Sequence, residues 1–520
     1  MKTDKSGSAE NPKSKLRNPK SKIKNPKSKI GLVVLGCDKN TVDSEYLAAS
    51  LARRGALVTT DPIGDGPVDA VVIATCAFTD EARRQSIATI REWACRKTRS
   101  SHPMALYVWS CMGQRWAGEL LEAIPEIDGI AGVGRFEQLA NAILTRSHRQ
   151  SSRALSSIEK LRSNIKCSKS KIENLKSKIQ NRPCVRITRH LTRLRLDTRP
   201  CAFLKIADGC NHRCTFCAIP LIKGPLRSVS RGILLDEARA LIDSGVRELN
   251  LIAQDVSAYG MDLYRKSKIQ NRFYGLPDLL EDLLALEGDF WVRLLYVYPG
   301  GLNERLIELL AQHPKMCPYL DLPLQHLDVG VLRRMRRPQP SLDVERLVGR
   351  LRERIPDLAL RTAMMVGFPG EDRATFQRLL AGIKRIRFDR LGGFVFSPER
   401  DTSAAAMPDR PSRQTAQRRF DRLMRLQASI AAELSAGLIG RNVRVLVESD
   451  AHAAAKWHGH PARENMGKMP MPQWIGRTAR DAPEVDGVVK VHSARPLKIG
   501  SFVKVRITAA ETYDLIGEAV

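Results

Sequence analysis

The sequence is poor in aromatic residues, which make up 5% of its 520 positions. It also lacks any long apolar run. Nothing approaches the ~18 consecutive apolar residues of a membrane-spanning helix, which excludes an integral helical membrane protein. The N-terminus is Lys-, Ser- and Pro-rich, without the ~7–15-residue apolar stretch of a secretory signal. It has no Arg-rich amphipathic face of a transit peptide either. These absences place the eleven cysteines in a reducing cytoplasm, where metal ligation or catalysis explains them better than a disulfide framework.

Charge of one sign is not lacking: the formal net charge is +29. Its location changes its meaning. Residues 1–30 carry +8, residues 146–199 carry +13 and residues 264–272 carry +4, so only +4 remains for the rest of the chain. The basic stretches share sequence. Asn-Pro-Lys-Ser-Lys occurs at 11–15, 18–22 and 25–29, and Lys-Ser-Lys-Ile-Gln-Asn-Arg occurs at 176–182 and again at 266–272. Lysine-rich tracts without aromatics bury too little apolar surface to offset chain entropy, so they read as disordered. RNA contact through these tracts is possible on charge grounds. Repeated low-complexity sequence inserted at tolerant surface loops is the simpler reading.

The remainder divides into an α/β pair of domains and a small β module. Residues 1–30 form a basic tail, 31–147 an N-terminal domain, 148–199 a basic linker, 200–432 a central domain with its insertion at 264–272, and 440–520 a last domain. In the first, strand candidates at 32–35, 70–74 and 105–109 alternate with helix candidates at 43–54, 80–98 and 115–123, arguing a parallel α/β sheet. In the second, six strand candidates (202–206, 248–252, 291–297, 318–322, 358–366 and 391–397) are each followed by a helical pattern. Six such units make a partial or full TIM-like barrel with its site at the strands' C-terminal ends. Short strand patterns at 443–447, 487–491 and 502–507 predict a small β-barrel.

Cys210, Cys214 and Cys217 form C-x3-C-x2-C directly after the first barrel strand. Three thiolates at this spacing suit a [4Fe–4S] cube, which takes one soft ligand per iron and can leave one iron free. A structural zinc site would need a fourth ligand from a second close pair, and none follows. Cys37, Cys76 and Cys111 each end an apolar strand pattern. Parallel strands put their C-terminal ends along one edge, so these thiols converge on one crevice. Spacing alone leaves two readings open for them, a second metal site or ordinary core cysteines. Cys95, Cys167, Cys184, Cys201 and Cys317 fit no pattern.

The cysteine loop, with Phe216 just before its third cysteine, resembles the signature of radical S-adenosylmethionine enzymes. The segments Gly36–Glu45, Thr75–Phe78 and Cys111–Arg115 resemble the N-terminal domain of the methylthiotransferases. Further support comes from Gln254–Gly260, Leu322–His326, Gly367–Glu371 and Asp481–Gly487, and the last domain resembles a TRAM module. Among these enzymes the similarity is to the RimO type, which modifies an aspartate of the twelfth small-subunit ribosomal protein. Asp255 and His326 separate this type from the tRNA-modifying branch, which usually has Asn and Ser there. Residues 440–520 carry only +3, which suits a basic protein partner better than a phosphate clamp.

The resemblance implies two [4Fe-4S] clusters, one on Cys210, Cys214 and Cys217 and an auxiliary one on Cys37, Cys76 and Cys111. It implies two S-adenosyl-L-methionine molecules per turnover, one giving a 5′-deoxyadenosyl radical that takes hydrogen from the aspartate β-carbon and one supplying methyl. A sulfur source, a flavodoxin- or ferredoxin-like reductant and a ribosomal protein substrate complete the expected partners, with no membrane involved. Phe216 is expected to pack against the adenine, and Gln254 to contact cofactor or substrate unless it is a structural hydrogen-bonder. His326 is expected to be a structural, hydrogen-bonded histidine. Both triads must face one cavity, so the N-terminal sheet should dock over the barrel mouth. Two positions depart from the family pattern: Ala74 stands where Asn usually precedes Thr75, and Ser110 where Gly usually precedes Cys111. The competing readings are a tRNA methylthiotransferase, a two-cluster electron carrier and a nucleic-acid binder using the lysine repeats.

Overall fold

The computed structural model describes residues 28–151, 193–264, 274–337, 343–450 and 474–520. The tracts at 1–27, 152–192 and 265–272, read above as disordered, lie outside the described residues. The N-terminal sheet contains β1 (Ser28–Val34), β2 (Ala56–Thr59), β3 (Ala70–Thr75), β4 (Ala105–Ser110) and β5 (Gly129–Ala131). All are parallel, in the order β2-β1-β3-β4-β5. Every residue of β3 and β4 is buried, which is why they read as unbroken apolar runs rather than alternating ones. Helices α1 (Asp38–Arg53), α2 (Asp80–Arg99), α3 (Cys111–Arg115), α4 (Ala117–Ala123) and α5 (Phe136–Ser151) cover the two faces. The strand order reverses between β1 and β3, and such a reversal opens a crevice at the strands' C-terminal ends.

The central sheet is built from β6 (Cys201–Lys205), β9 (Glu248–Ile252), β10 (Trp291–Leu294), β11 (Met316–Asp321), β12 (Ala359–Val366) and β13 (Arg390–Val395). They pair in chain order, all parallel, and β6 and β13 do not pair with each other. The architecture is therefore a partial barrel. The two-residue strands β7 (Ala207–Asp208) and β8 (Arg227–Ser228) pair antiparallel and frame the cysteine loop between them. Leu249, Leu251, Val292, Leu294, Leu320 and Leu360 point outward against the surrounding helices. The concave face carries Phe203, Ile252, Trp291 and Tyr319, and because the barrel is open this face needs a cover. Val42 of α1 supplies part of it, and Leu446 and Ala482 of the last domain supply the rest.

That last domain is a closed barrel of β14 (Asn442–Asp450), β15 (Trp474–Thr478), β16 (Val489–His492), β17 (Phe502–Ala510) and β18 (Leu515–Ala519). Its core is Val445, Val489, Val491, Val505, Ile507 and Leu515. Among the described residues no helix is long and apolar enough to cross a membrane.

Two boundaries differ from the sequence expectation. Residues 28–30, assigned above to the basic tail, are the start of β1, with Ser28 and Ile30 buried. Residues 193–199, assigned to the basic linker, are folded. Arg193 is buried between Glu45 (2.6 Å) and Glu237 (2.8 Å), and Leu194 and Leu196 pack on the N-terminal core. Net charge misled here, because an arginine that bridges two domains looks the same in composition as one in a solvated tract.

Candidate functional site

The N-terminal thiols lie at the reversal point of the first sheet. Cys37 follows β1 and caps α1, Cys76 follows β3, and Cys111 opens α3 directly after β4. The three interact electrostatically with one another. Asn40, in the first turn of α1, braces the strand ends, its Nδ2 donating to the carbonyls of Leu35 and Thr75, both at 2.9 Å. Gly36 has φ +97°, and a Cβ there would come within 2.9 Å of Cys76 Cβ, so glycine lets β1 and β3 bring their cysteines together. Ser110 adopts φ +78°, a conformation that favours the glycine usual in the family. Its hydroxyl donates to Asn40 Oδ1 at 2.9 Å and lies 3.8 Å from Cys111 Sγ, holding the strained turn in place. The other departure, Ala74, is simply packed in the core.

The second triad hangs in the loop between β7 and β8. Gly209 (φ +77°) starts it, and a Cβ there would meet the Pro225 carbonyl oxygen at 2.2 Å. Cys210 N–H donates to the Gly224 carbonyl (3.1 Å) and Cys217 N–H to the Cys214 carbonyl (3.1 Å). Thr215 anchors the loop outward, its amide and hydroxyl donating to the carbonyls of Met335 and Arg334. Arg337 Nη1 points at Cys214 Sγ (3.7 Å), and its guanidinium lies 4.5 Å from the Tyr298 ring. His212 stacks on that ring from a centroid distance of 4.0 Å and shares a 2.7 Å hydrogen bond with Asp255. Burial pushes the Cys217 and Cys111 thiols up to about 12 and Cys210 to about 11.

Phe216 is half-buried and sets its edge against Phe368 (6.4 Å, 84°), which joins the cysteine loop to the Gly367–Gly370 turn. Gln254, beyond the end of β9, donates from Nε2 to Asp208 Oδ1 at 3.1 Å, while its Oε1 is buried without a partner. Tyr298 OH and Gln325 Oε1 are likewise buried and unpartnered. Successive strand ends thus each leave one polar atom unsatisfied on the rim that carries the cysteine loop, as a cavity built for a polar ligand would.

The elements that carry the two triads pack together at the domain seam. The helix Ile219–Lys223, which follows Cys217, packs on α3 through Ala218 and Ile222 against Cys111 and Met112. Lys39 of α1 lies over the Tyr296 ring at 3.0 Å, beyond the end of β10. Arg83 of α2 pairs at 3.0 Å with buried Glu399, in the loop after β13. All these barrel residues lie at strand C-terminal ends, so the N-terminal sheet covers the barrel mouth. Among the described residues no His, Cys, Asp or Glu group closes around a single ion. All six cysteines are free thiols. Three soft donors per set, two of them approached by Arg337 and Ser110, fit a cluster with one thiolate per iron.

Comparison with known proteins accounts for each part. Residues 204–381 match the Radical SAM superfamily, residues 439–520 the TRAM domain and residues 29–132 the Uncharacterized protein family UPF0004. Three proteins called ribosomal protein uS12 methylthiotransferase RimO are similar along almost their whole length. Those of Desulfitobacterium hafniense (strain Y51) and Geobacter sulfurreducens are each 37% identical over 94% of this chain and 98% of their own. That of Roseiflexus sp. (strain RS-1) is 38% identical over 94% of this chain and 96% of its own. The chain belongs to the RimO family.

It is thus a radical S-adenosylmethionine methylthiotransferase by family, and its N-terminal sheet, partial barrel and closed C-terminal barrel match that family's three parts. Sequence reasoning missed the polar side chains around the triads: Asn40, Asp43, Lys205, Asp208, Lys223, Arg337 and Glu399. Each is a charged or amide residue that becomes buried; the hints in the sequence were that Asn40 and Asp43 fall in the segment Gly36–Glu45 and that Asp208 and Lys223 lie near the cysteine motif.

Proposed function

We propose that the chain transfers a methylthio group to the β-carbon of an aspartate in ribosomal protein uS12, within the reducing cytoplasm. The observation that carries this is the meeting of two free-thiol triads at one domain seam, in a chain of the RimO family. Cys210, Cys214 and Cys217 would hold the cluster that binds S-adenosylmethionine, and Cys37, Cys76 and Cys111 an auxiliary cluster. Once bound, these groups supply radical generation from S-adenosylmethionine and sulfur delivery, drawing on two S-adenosylmethionine molecules, a sulfur source and a flavodoxin- or ferredoxin-like reductant.

The chain's own residues orient and shield. Arg337 holds a hydrogen-bond donor toward Cys214, and the His212–Tyr298–Arg337 stack stiffens the loop around it. The unsatisfied atoms of Gln254, Tyr298 and Gln325 offer polar partners to a bound cofactor, and Phe216 an aromatic edge. Docking of the sheet over the barrel mouth excludes water from a radical that would otherwise be quenched.

Mass spectrometry of products tests the proposal. Anaerobically reconstituted protein receives reductant, sulfide, S-adenosylmethionine and a peptide spanning the substrate aspartate loop. The expected result is a mass gain of one methylthio group, abolished by Cys76→Ala. Cleavage of S-adenosylmethionine with the peptide and the intact small subunit unchanged, and with tRNA modified instead, would sink the substrate assignment.

A further inference from the structure

Four charged side chains share one buried pocket in the seam between the triads. Asp43 comes from α1, Lys205 ends β6, Asp208 precedes the cysteine loop, and Lys223 ends the short helix that follows it. Lys223 Nζ lies 3.3 Å from a carboxylate oxygen of Asp43 and 3.3 Å from one of Asp208. Lys205 Nζ pairs with Asp43 and lies 3.6 Å from Asp208. Two cations and two anions balance. Mutual adhesion does not explain the pocket, because a buried ion pair is commonly no more stabilising than apolar residues of the same volume.

The arrangement is lopsided in a way that suggests another purpose. Lys223 belongs covalently to the barrel's cysteine loop, six residues after Cys217. Its helix nevertheless packs beside Cys111, and its charge acts on Cys111 and Cys37 of the other domain. The cation beside the barrel's own triad is a different one, Arg337. Two carboxylates, of Asp43 and Asp208, each lie 3.3 Å from Lys223 Nζ and favour the ammonium form. The pocket is neutral as a whole, but of its four charges the Lys223 ammonium is the one carried on the helix that packs against Cys111, so the opposite domain delivers a cation to the N-terminal triad.

We propose that Lys223 is a positioning residue that raises the reduction potential of the group held by Cys37, Cys76 and Cys111 and fixes that triad's setting against the barrel's cysteine loop. The inference rests on the function proposed above. A fixed cation in a low-dielectric seam stabilises the reduced, more negative state of a nearby thiolate-bound group, so its removal lowers the potential. Because the cation comes from the barrel, the N-terminal triad reaches its working potential only when the two domains are docked.

The test uses the full chain with Cys210, Cys214 and Cys217 all changed to Ala, so that only the N-terminal triad can load iron. Iron content is measured first, and the midpoint potential is then followed by electron paramagnetic resonance during a reductive titration. Lys223→Met should shift the midpoint downward, and Lys223→Arg should restore it. Since Lys223→Met strips Asp208 of a partner, the charge-balanced Lys223→Met/Asp208→Asn variant is measured alongside and should also shift downward, by less than Lys223→Met alone. An unchanged midpoint in the balanced variant at normal iron content overturns the role of Lys223. Absence of iron in the Ala background itself overturns the ligand assignment beneath it, a distinct result.

Discussion

At the scale of single residues, His326 shows how burial alone decides a histidine's chemistry. It is fully buried, its Nδ1 accepts the Asp328 backbone N–H at 2.9 Å, and its Nε2 has no partner. Desolvation pulls its pKa from the usual 6.5 down to about 4, against the opposing pull of Asp328. The folded protein therefore keeps this ring neutral, whereas the unfolded chain takes up a proton below about pH 6.5. Stability from this group is fully present above pH 6.5 and is lost as pH falls toward 4. Between pH 7 and pH 5 the loss is about 2 kcal/mol, at about 1.4 kcal/mol per pH unit below the unfolded value. His326→Gln removes the titration, so urea unfolding at both pH values should show a pH-dependent loss smaller by that amount. An equal loss in the variant would mean that the buried ring takes up its proton over the same pH range as it does in the unfolded chain.

Secondary-structure elements show what apolar periodicity can and cannot reveal. The six barrel strands and the three cysteine-bearing strands were legible because each is a buried apolar run punctuated by turn residues. The edge strands β2 and β5, of four and three residues, carry too little pattern to register. The expected start of the first helix at 43 misses its opening turn for a different reason. Asp38, Lys39 and Asn40 are buried, yet as polar residues they look like loop. Buried polarity is a feature of the site, so hydrophobic pattern fails in the very turn that carries Asn40 and borders Cys37. The thiol sets themselves were legible as motifs, while their polar surroundings were not, because contacts such as Asp43 with Lys223 span 180 positions.

The start of β1 gives a test at this scale. The lysine repeats end at residue 29, and Ser28 to Gly31 pair with β2 while Ile30 to Val34 pair with β3. Deleting residues 2–27 should leave the thermal unfolding midpoint and methylthiolation unchanged, since that lysine-rich tract carries too little apolar surface to contribute. Extending the deletion through Gly31 removes fully buried Ile30 and a central strand's hydrogen bonds. Iron loading at the N-terminal triad should then be lost, read as iron content per chain. Loss of methylthiolation on the shorter deletion would instead assign the repeats a part in substrate capture.

At the scale of the whole molecule, an open barrel must have its concave face filled, and here two neighbouring domains fill it. α1 enters from the mouth, and the segment 477–486 of the C-terminal domain enters from the opposite end. The deepest contact is ionic. Glu248, fully buried on β9, binds Arg293 of β10 at 2.7 Å and Arg477 of β15 at 2.6 Å, and Arg477 also pairs with Glu448. Burial would raise the Glu248 pKa, but the two arginines outweigh it and hold the carboxyl below its usual range. Glu248→Gln keeps the volume and removes the charge both arginines depend on, so unfolding free energy should fall by about 3–5 kcal/mol. The C-terminal barrel should also become cleavable by trypsin near Arg441. The cysteine triads lie at the far end of the strands, so iron content should stay at the wild-type level. Two outcomes in the activity assay then distinguish roles for the C-terminal domain. If it serves only as a filler, kcat and KM change together with stability. If it docks the ribosomal protein, S-adenosylmethionine cleavage persists while KM for the substrate protein rises, and the seam at Glu248 is then what holds the docking surface in register with the barrel mouth.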